Sequence, residues 1–418
     1  MKHRRYYADR ITVFDVVYGD RPLKKYLMIV MVLALAMSGI ASAEVSSSDL
    51  KYPDLPEERM QLIPYDDVMK NVTARSAVVI EASTGTVIYE RNMRERRYPA
   101  STTKIMTLIL ALERGNPDDI VTISSNAAGT DGSTLWLEAG EQVRLGDLMY
   151  GMMLVSGNDA AVAIAEHIGG SVENFADMMT RKAHEIGATD TYFVNSNGLP
   201  DERHCTTAYD LALIAAYGYK DPRFAEIVSS REYILPWKKN ADDRKIRNEN
   251  LLLTIYRGAN GVKTGYTDAA GRCLVSGANR NGVQLVSVVL DSLYMWNDSI
   301  TMLDYGFAHV YARKIAEKGR TMGYVRVLDG CKRRVAAETA DDVIVPVFDE
   351  DEHIKTEVHL LDTAHANVNK GDVLGKLLIL SDGKTVASVD LVAAETVERK
   401  SFFRTVGHAL QRIMDWIF

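Results

Sequence analysis

The stretch "YPASTTKIMTLILALER", from Tyr98 to Arg114, constrains the fold more than any other. Ile105, Met106, Leu108, Ile109, Leu110 and Leu112 put apolar side chains on nearly every face of a helix. A helix with no wet side belongs in the middle of a domain, wrapped by other elements. At its head stand Ser101 and Lys104, three residues apart, so on a helix they share a face and reach each other. That places a nucleophile beside a candidate base.

The surrounding pattern builds a sheet around this helix. "SAVVIEASTGTVIYE" (76–90) has two β-rich runs about Ser83-Thr84-Gly85, a hairpin signal. From Ser125 to Tyr219 the periodicity is mainly helical, in "LGDLMYGMMLV", "DAAVAIAEHIGG" and "AYDLALIAAYGY". Beyond Ile227 the chain turns to strands. "GRCLVSGANRNGVQLVSVVLDS" (271–292) reads as a second hairpin joined at Asn279 to Gly282, and "SITMLDYGFAHVYAR" then returns to helix. Strand, helices, strands, helix gives an α/β (α+β) domain with helices around a sheet. After about Glu317 short alternating strands take over, and "KLLILSDGKTVASVDLV" pairs two of them through Asp382-Gly383. A small all-β domain is expected there.

The ends of the chain differ from its body. Met1 to Lys25 carries seven Lys or Arg against three Asp, and an uncharged run from Tyr26 ends in Ala41-Ser42-Ala43. This is the layout of a secretory signal with an extended basic region, cleaved before Glu44 or kept as an anchor. Removing its net +4 from the chain's −7 leaves about −11, a poor match for nucleic acid. At the other end "SFFRTVGHALQRIMDWIF" sets Phe403, Val406, Leu410, Ile413, Met414 and Ile417 on one helical face. Such a helix is expected to lie on a membrane surface, the alternative being a helix docked on the β domain. The division is therefore a signal at 1–43, a polar arm at 44–69, a core domain at 70–316, the β domain at 317–396 and an amphipathic anchor at 397–418. Cys205, Cys273 and Cys331 have no C-x-x-C spacing and are expected as buried free thiols. His184-Glu185 starts an H-E-x-x-H pattern that Ala188 ends, so no metal site is indicated.

S-x-x-K by itself says little, since Ser48 to Lys51 and Ser381 to Lys384 match it too. The first lies in the polar arm and the second straddles a hairpin; Ser101 alone opens an apolar helix. Two further elements follow in order, Ser156-Gly157-Asn158 in "VSGNDAA" and Lys263-Thr264-Gly265 in "GVKTGYT". Ser124-Ser125-Asn126 also matches S-x-N, but lacks apolar helices on both sides. Taken singly these residues read as a helix cap, a surface charge, a turn and an edge-strand lysine. Their joint order overturns that.

The set resembles the serine penicillin-recognising enzymes. More narrowly, "YPASTTKIMT", "VSGNDAAVAIAEHIGG", "NSNGLPDERHCTTAYDLALIA" and "GANGVKTGYTDAAGRCLV" are similar to segments of the D-alanyl-D-alanine carboxypeptidases, low-molecular-mass penicillin-binding proteins. The resemblance implies a β-lactamase/transpeptidase-like domain with an antiparallel sheet. It also implies a catalytic set of Ser101, Lys104, Ser156 and Asn158, and a substrate edge of Lys263, Thr264, Gly265 and Tyr266. Ser101 is then the nucleophile and Lys104 its base, deprotonated because burial, a helix N-terminus and the cation at Lys263 all disfavour its charge. Ser156 relays a proton to the leaving amine, Asn158 holds Lys104 and the substrate backbone, and Lys263 with Thr264 receives a terminal carboxylate. Gly265 lets the substrate backbone approach, and the backbone N–H groups of Ser101 and Tyr266 form the oxyanion hole. The implied partners are a peptidoglycan stem ending in D-Ala-D-Ala and β-lactam antibiotics, on the outer face of the bacterial cytoplasmic membrane, with no cofactor. A β-lactamase, a catalytically silent cell-wall sensor and a transpeptidase share these motifs as alternatives.

Overall fold

The computed structural model describes residues 70–237, 243–348, 353–381 and 383–400. The expected signal, the polar arm and the amphipathic run from Ser401 onward lie outside these described residues. The core domain opens with the hairpin β1 (Ser76–Glu81) and β2 (Val87–Arg91), followed by a 3-10 turn (Ala100–Thr103) and α1 (Lys104–Arg114). Next come β3 (Ile120–Thr122), α2 (Ser125–Ala128), β4 (Gln142–Arg144), α3 (Leu145–Leu154), α4 (Asn158–Gly169), α5 (Val172–Ile186), α6 (Ala208–Gly218) and α7 (Pro222–Ser229). The return leg is β5 (Glu232–Leu235), β6 (Arg244–Arg247), α8 (Leu252–Ile255), β7 (Ala259–Thr267), β8 (Gly271–Arg280), β9 (Val283–Ser292) and α9 (Met295–Ala308).

Five of these strands form one antiparallel sheet in the order β2-β1-β9-β8-β7. β1 is buried along its whole length because its period of two feeds two cores. Val78 and Ile80 join the helical core with Ile105 and Leu108, while Ala77 and Val79 pack with Met302 and Leu303 of α9. α1 is buried from Lys104 to Leu112 and touches α3 through α7. Each fully buried Ile or Leu on it contributes about 1.5–3 kcal/mol. The apolar helix thus occupies the central place its sequence demands.

Two readings need correction. The α-helix begins at Lys104, and Ser101 sits in the tighter 3-10 turn before it, with Ala100 at a φ of +49°. The second concerns "SITMLDYGFAHVYAR". α9 ends at Ala308, and β10 (Tyr311–Ala316) is a strand paired with β13 (Val343–Val347). Val310 plugs into the smaller core, and the ladder with β13 gives the following backbone groups partners that a fraying last turn of helix lacks. The β region therefore starts a few residues before Glu317. It continues with β11 (Thr321–Leu328), β12 (Arg334–Thr339), β14 (Ile354–Leu360), β15 (Thr363–His365), β16 (Val373–Ser381) and β17 (Lys384–Ala393), in a sheet of order β14-β16-β17-β12-β11-β15. It encloses its own core, including Val325, Val345, Leu377 and Leu391.

Candidate active site

Three separate segments meet at the head of α1. The Lys104 side chain is fully buried, and its Nζ lies 2.9 Å from Ser101 Oγ, 2.7 Å from Asn158 Oδ1 and 2.7 Å from the Asn197 carbonyl. These three partners are compatible with a neutral amine. Asn158 Oδ1 and the Asn197 carbonyl only accept, whereas the Ser101 hydroxyl also donates. A neutral amine satisfies all three, giving two N–H bonds to the carbonyl oxygens and turning its lone pair to Ser101. Burial first, and the nearby Lys263 second, hold the Lys104 pKa well below its ordinary value. Geometry permits a neutral amine beside the Ser101 hydroxyl, and burial favours it.

The second segment is the turn between α3 and α4. Ser156 takes a left-handed φ of +63°, is 4% exposed and borders the cleft above Ser101. Such backbone strain persists only where neighbours over-determine it. The neighbouring Asp159 is wholly buried, and its carboxylate accepts from the N–H groups of Leu135, Leu137 and Ala160 and from the Thr134 hydroxyl. It clamps the 133–137 loop onto the start of α4, and the Ser133 carbonyl in turn accepts the Asn158 N–H at 2.7 Å. Asn158 Nδ2 gives one hydrogen to the Asp131 carbonyl at 2.6 Å, so one of its two amide hydrogens is already committed within the protein.

The third segment is β7, an edge strand of the sheet. Lys263 is buried, and its Nζ donates to the Thr264 carbonyl at 3.1 Å and the Thr264 hydroxyl at 3.3 Å. Burial lowers its pKa to about 8, against the opposing pull of Glu249. Gly265 also has a role within the fold. A Cβ there would meet the backbone nitrogens of Ser101 and Thr102 at 3.0 and 3.1 Å, so glycine lets β7 close on the nucleophile's turn. Ser101, Ser133, Ser156, Glu249, Thr264, Tyr266 and Trp296 border a cleft of about 380 Å³. That is the size of a small-molecule site. A larger cleft of about 780 Å³, beside Arg96, Asp190 and Arg203, holds none of the motif residues.

The two decoy motifs among the described residues are structural. Ser124 Oγ caps α2 by accepting the Ala127 N–H, and Ser381 faces Lys384 across the β16–β17 ladder.

Known proteins match the chain over both of its domains. The D-alanyl-D-alanine carboxypeptidase family matches residues 64–293, and the C-terminal domain of penicillin-binding protein 5 matches residues 312–399. The D-alanyl-D-alanine carboxypeptidase DacF of Bacillus subtilis is 35% identical over 349 residues, covering 80% of this chain and 89% of the relative. The chain belongs to the D-alanyl-D-alanine carboxypeptidase family. DacA of Haemophilus influenzae is 31% identical over 396 residues, or 90% of this chain and 94% of that one. The solved penicillin binding protein 5 of the same organism superposes with a TM-score of 0.56 at 33% identity, covering 79% of this chain and 98% of its own. Both the core domain and the β domain are therefore those of the carboxypeptidase family.

Two further residues of this family site lie in the family-like segment 195–215 but outside the three catalytic motifs. The Asn197 carbonyl is a backbone group, so the sequence marks its place through the Asn197-Gly198 turn signal but not its contact with Lys104. His204 is 1% exposed; its Nδ1 accepts the Val194 N–H, so Nε2 carries the proton and donates to Thr103 Oγ1 at 2.8 Å. Burial holds its pKa at about 4. A histidine kept neutral in the fold but titrating near 6.5 when unfolded contributes fully above pH 6.5 and loses that contribution as pH falls towards 4, about 3 kcal/mol in all. The stability gap between the native chain and His204→Gln is expected to narrow by about 2–3 kcal/mol between pH 7 and pH 4, measured by urea unfolding. The cysteines are also corrected in part: all three are free, but only Cys273 is buried, Cys205 being half-buried and Cys331 exposed. Cys331 precedes the polar run Lys332-Arg333-Arg334 that leads into β12.

Proposed function

We propose that this chain is an exported serine-type D-Ala-D-Ala carboxypeptidase that trims peptidoglycan stem peptides and is acylated by β-lactams. The observation that carries the reading is the buried Lys104 amine, 2.9 Å from Ser101 Oγ and otherwise surrounded by acceptors. Ser101 attacks the carbonyl between the terminal D-alanines while Lys104 takes its proton. The resulting oxyanion lies against the N–H groups of Ser101 and Tyr266, a donor of this kind being worth about 10²-fold or more in rate. Ser156 passes a proton to the departing D-alanine, and water then releases the shortened stem. Asn158 fixes the base, and Lys263 with Thr264 receives the substrate's terminal carboxylate.

The test is D-alanine release from a synthetic peptide ending in D-Ala-D-Ala. Native protein is expected to release it and Ser101→Ala to release none. Labelled penicillin that binds and is quickly shed without D-alanine release would instead favour a β-lactamase.

Export and anchoring belong to the same proposal and rest on the sequence of the two ends. Among the described residues no helix is long and apolar enough to cross a membrane. Deleting 402–418 is expected to move the processed protein from the membrane fraction to the soluble one. Retention after deletion would count against the terminal helix as the anchor.

A further inference from the structure

Glu249 sits between β6 and α8, exposed, on the wall of the active-site cleft. Its Oε2 accepts the Thr264 hydroxyl at 3.3 Å, while the oxygen of that hydroxyl accepts from Lys263 Nζ at 3.3 Å. A hydroxyl has one proton to give. The donor that a substrate's terminal carboxylate needs is therefore already committed to a carboxylate of the protein, and an arriving anion also meets a like charge.

We propose that Glu249 is a specificity-determining residue of this subsite: by holding the Thr264 hydroxyl and repelling anions, it handicaps a free C-terminal carboxylate relative to an uncharged terminus. The inference rests on the reading that places the stem's terminal carboxylate at Lys263 and Thr264. Folding does not explain the side chain's position. The segment is fixed by other bonds: the Glu249 N–H to the Leu154 carbonyl, Asn248 Nδ2 to the Ser230 carbonyl, and the Leu252 N–H to Asn250 Oδ1. The charged groups facing Lys263 are Lys104 and Glu249, and Arg272 of β8 lines the same cleft. Because Glu249 also helps keep Lys263 protonated, the effect is cleanest near pH 6, where Lys263, with a pKa of about 8, holds its proton.

The experiment compares native protein with Glu249→Gln and Glu249→Ala on two acetylated peptides, one ending in D-Ala-D-Ala as the free acid and one as its carboxamide. Affinity is read as KM where a peptide is cleaved and as an inhibition constant where it is not. Both variants are expected to lower KM for the free acid about three- to tenfold, with kcat within about twofold and carboxamide affinity unchanged. A shift shared by both peptides, or none, overturns the inference while leaving D-alanine release by the native protein intact. Native protein that neither releases D-alanine nor takes label from penicillin overturns the carboxypeptidase reading, and the inference with it.

Discussion

Replacing Lys104 with alanine is expected to slow acylation of Ser101 by labelled penicillin about 10³-fold or more, the scale of a general base removed from a serine nucleophile. The size follows from the enclosure of the amine. Its other contacts are Asn158 Oδ1 and the Asn197 carbonyl, which cannot accept a proton in its place. Lys263 is committed to Thr264, so it offers no substitute base. Alanine also leaves a cavity and two buried carbonyl oxygens without their donor, costing about 1 kcal/mol or more for each oxygen. Lys104→Met separates the cavity from the loss of the nitrogen, since it fills nearly the same space as the apolar stem. Both variants are expected to stay folded by circular dichroism and to acylate slowly. Near-native acylation by the methionine variant would remove Lys104 from the role of base. The same assignment sets a pH profile. kcat/KM rises as Lys104 loses its proton and falls again near pH 8, where Lys263 loses the charge that holds the carboxylate.

The sequence made the central helix, both hairpins and the β region legible because their hydrophobic periods are long and their turns carry strong signals. The order of three short motifs likewise pointed to Ser101, Lys104, Ser156, Asn158, Lys263 and Thr264, which the fold gathers at and beneath one cleft. Other features depend on contacts that no local pattern encodes. The Asn197 carbonyl is a backbone oxygen, presented identically by any residue type at that position. Glu249 lies 14 residues before Lys263 in a loop without periodicity, and only the fold of β7 brings it to Thr264. Gly265 was legible as a glycine in a motif, but its close packing on the Ser101 turn shows only in the fold. The end of α9 was misplaced because Tyr311 to Ala316 is helix-compatible on its own and becomes a strand through β13, some 30 residues further on.

Gly198→Ala carries the largest expected effect outside the motif residues. Gly198 has a φ of +89°, and a Cβ there would lie 1.9 Å from the Ala100 carbonyl oxygen and 2.9 Å from Thr103 Oγ1. On one side of that contact the strained Ala100 leads directly into Ser101; on the other, Asn197 presents its carbonyl to Lys104. Relief of the clash has to move one of the two, and either movement lengthens the path between nucleophile and base. Gly187→Ala is the control, because Gly187 has a φ of +100° at the end of α5 but open space where a Cβ would go. The control is expected to cost about 1–2 kcal/mol of left-handed strain and to leave acylation unchanged. Gly198→Ala is expected to cost about 1–3 kcal/mol more, from overpacking, and to slow acylation about 10²-fold, as a displacement of about 1 Å at a reacting atom does. Equal losses of stability in the two variants, with native acylation in both, would mean that the 195–199 loop does not hold the Ser101 turn in place.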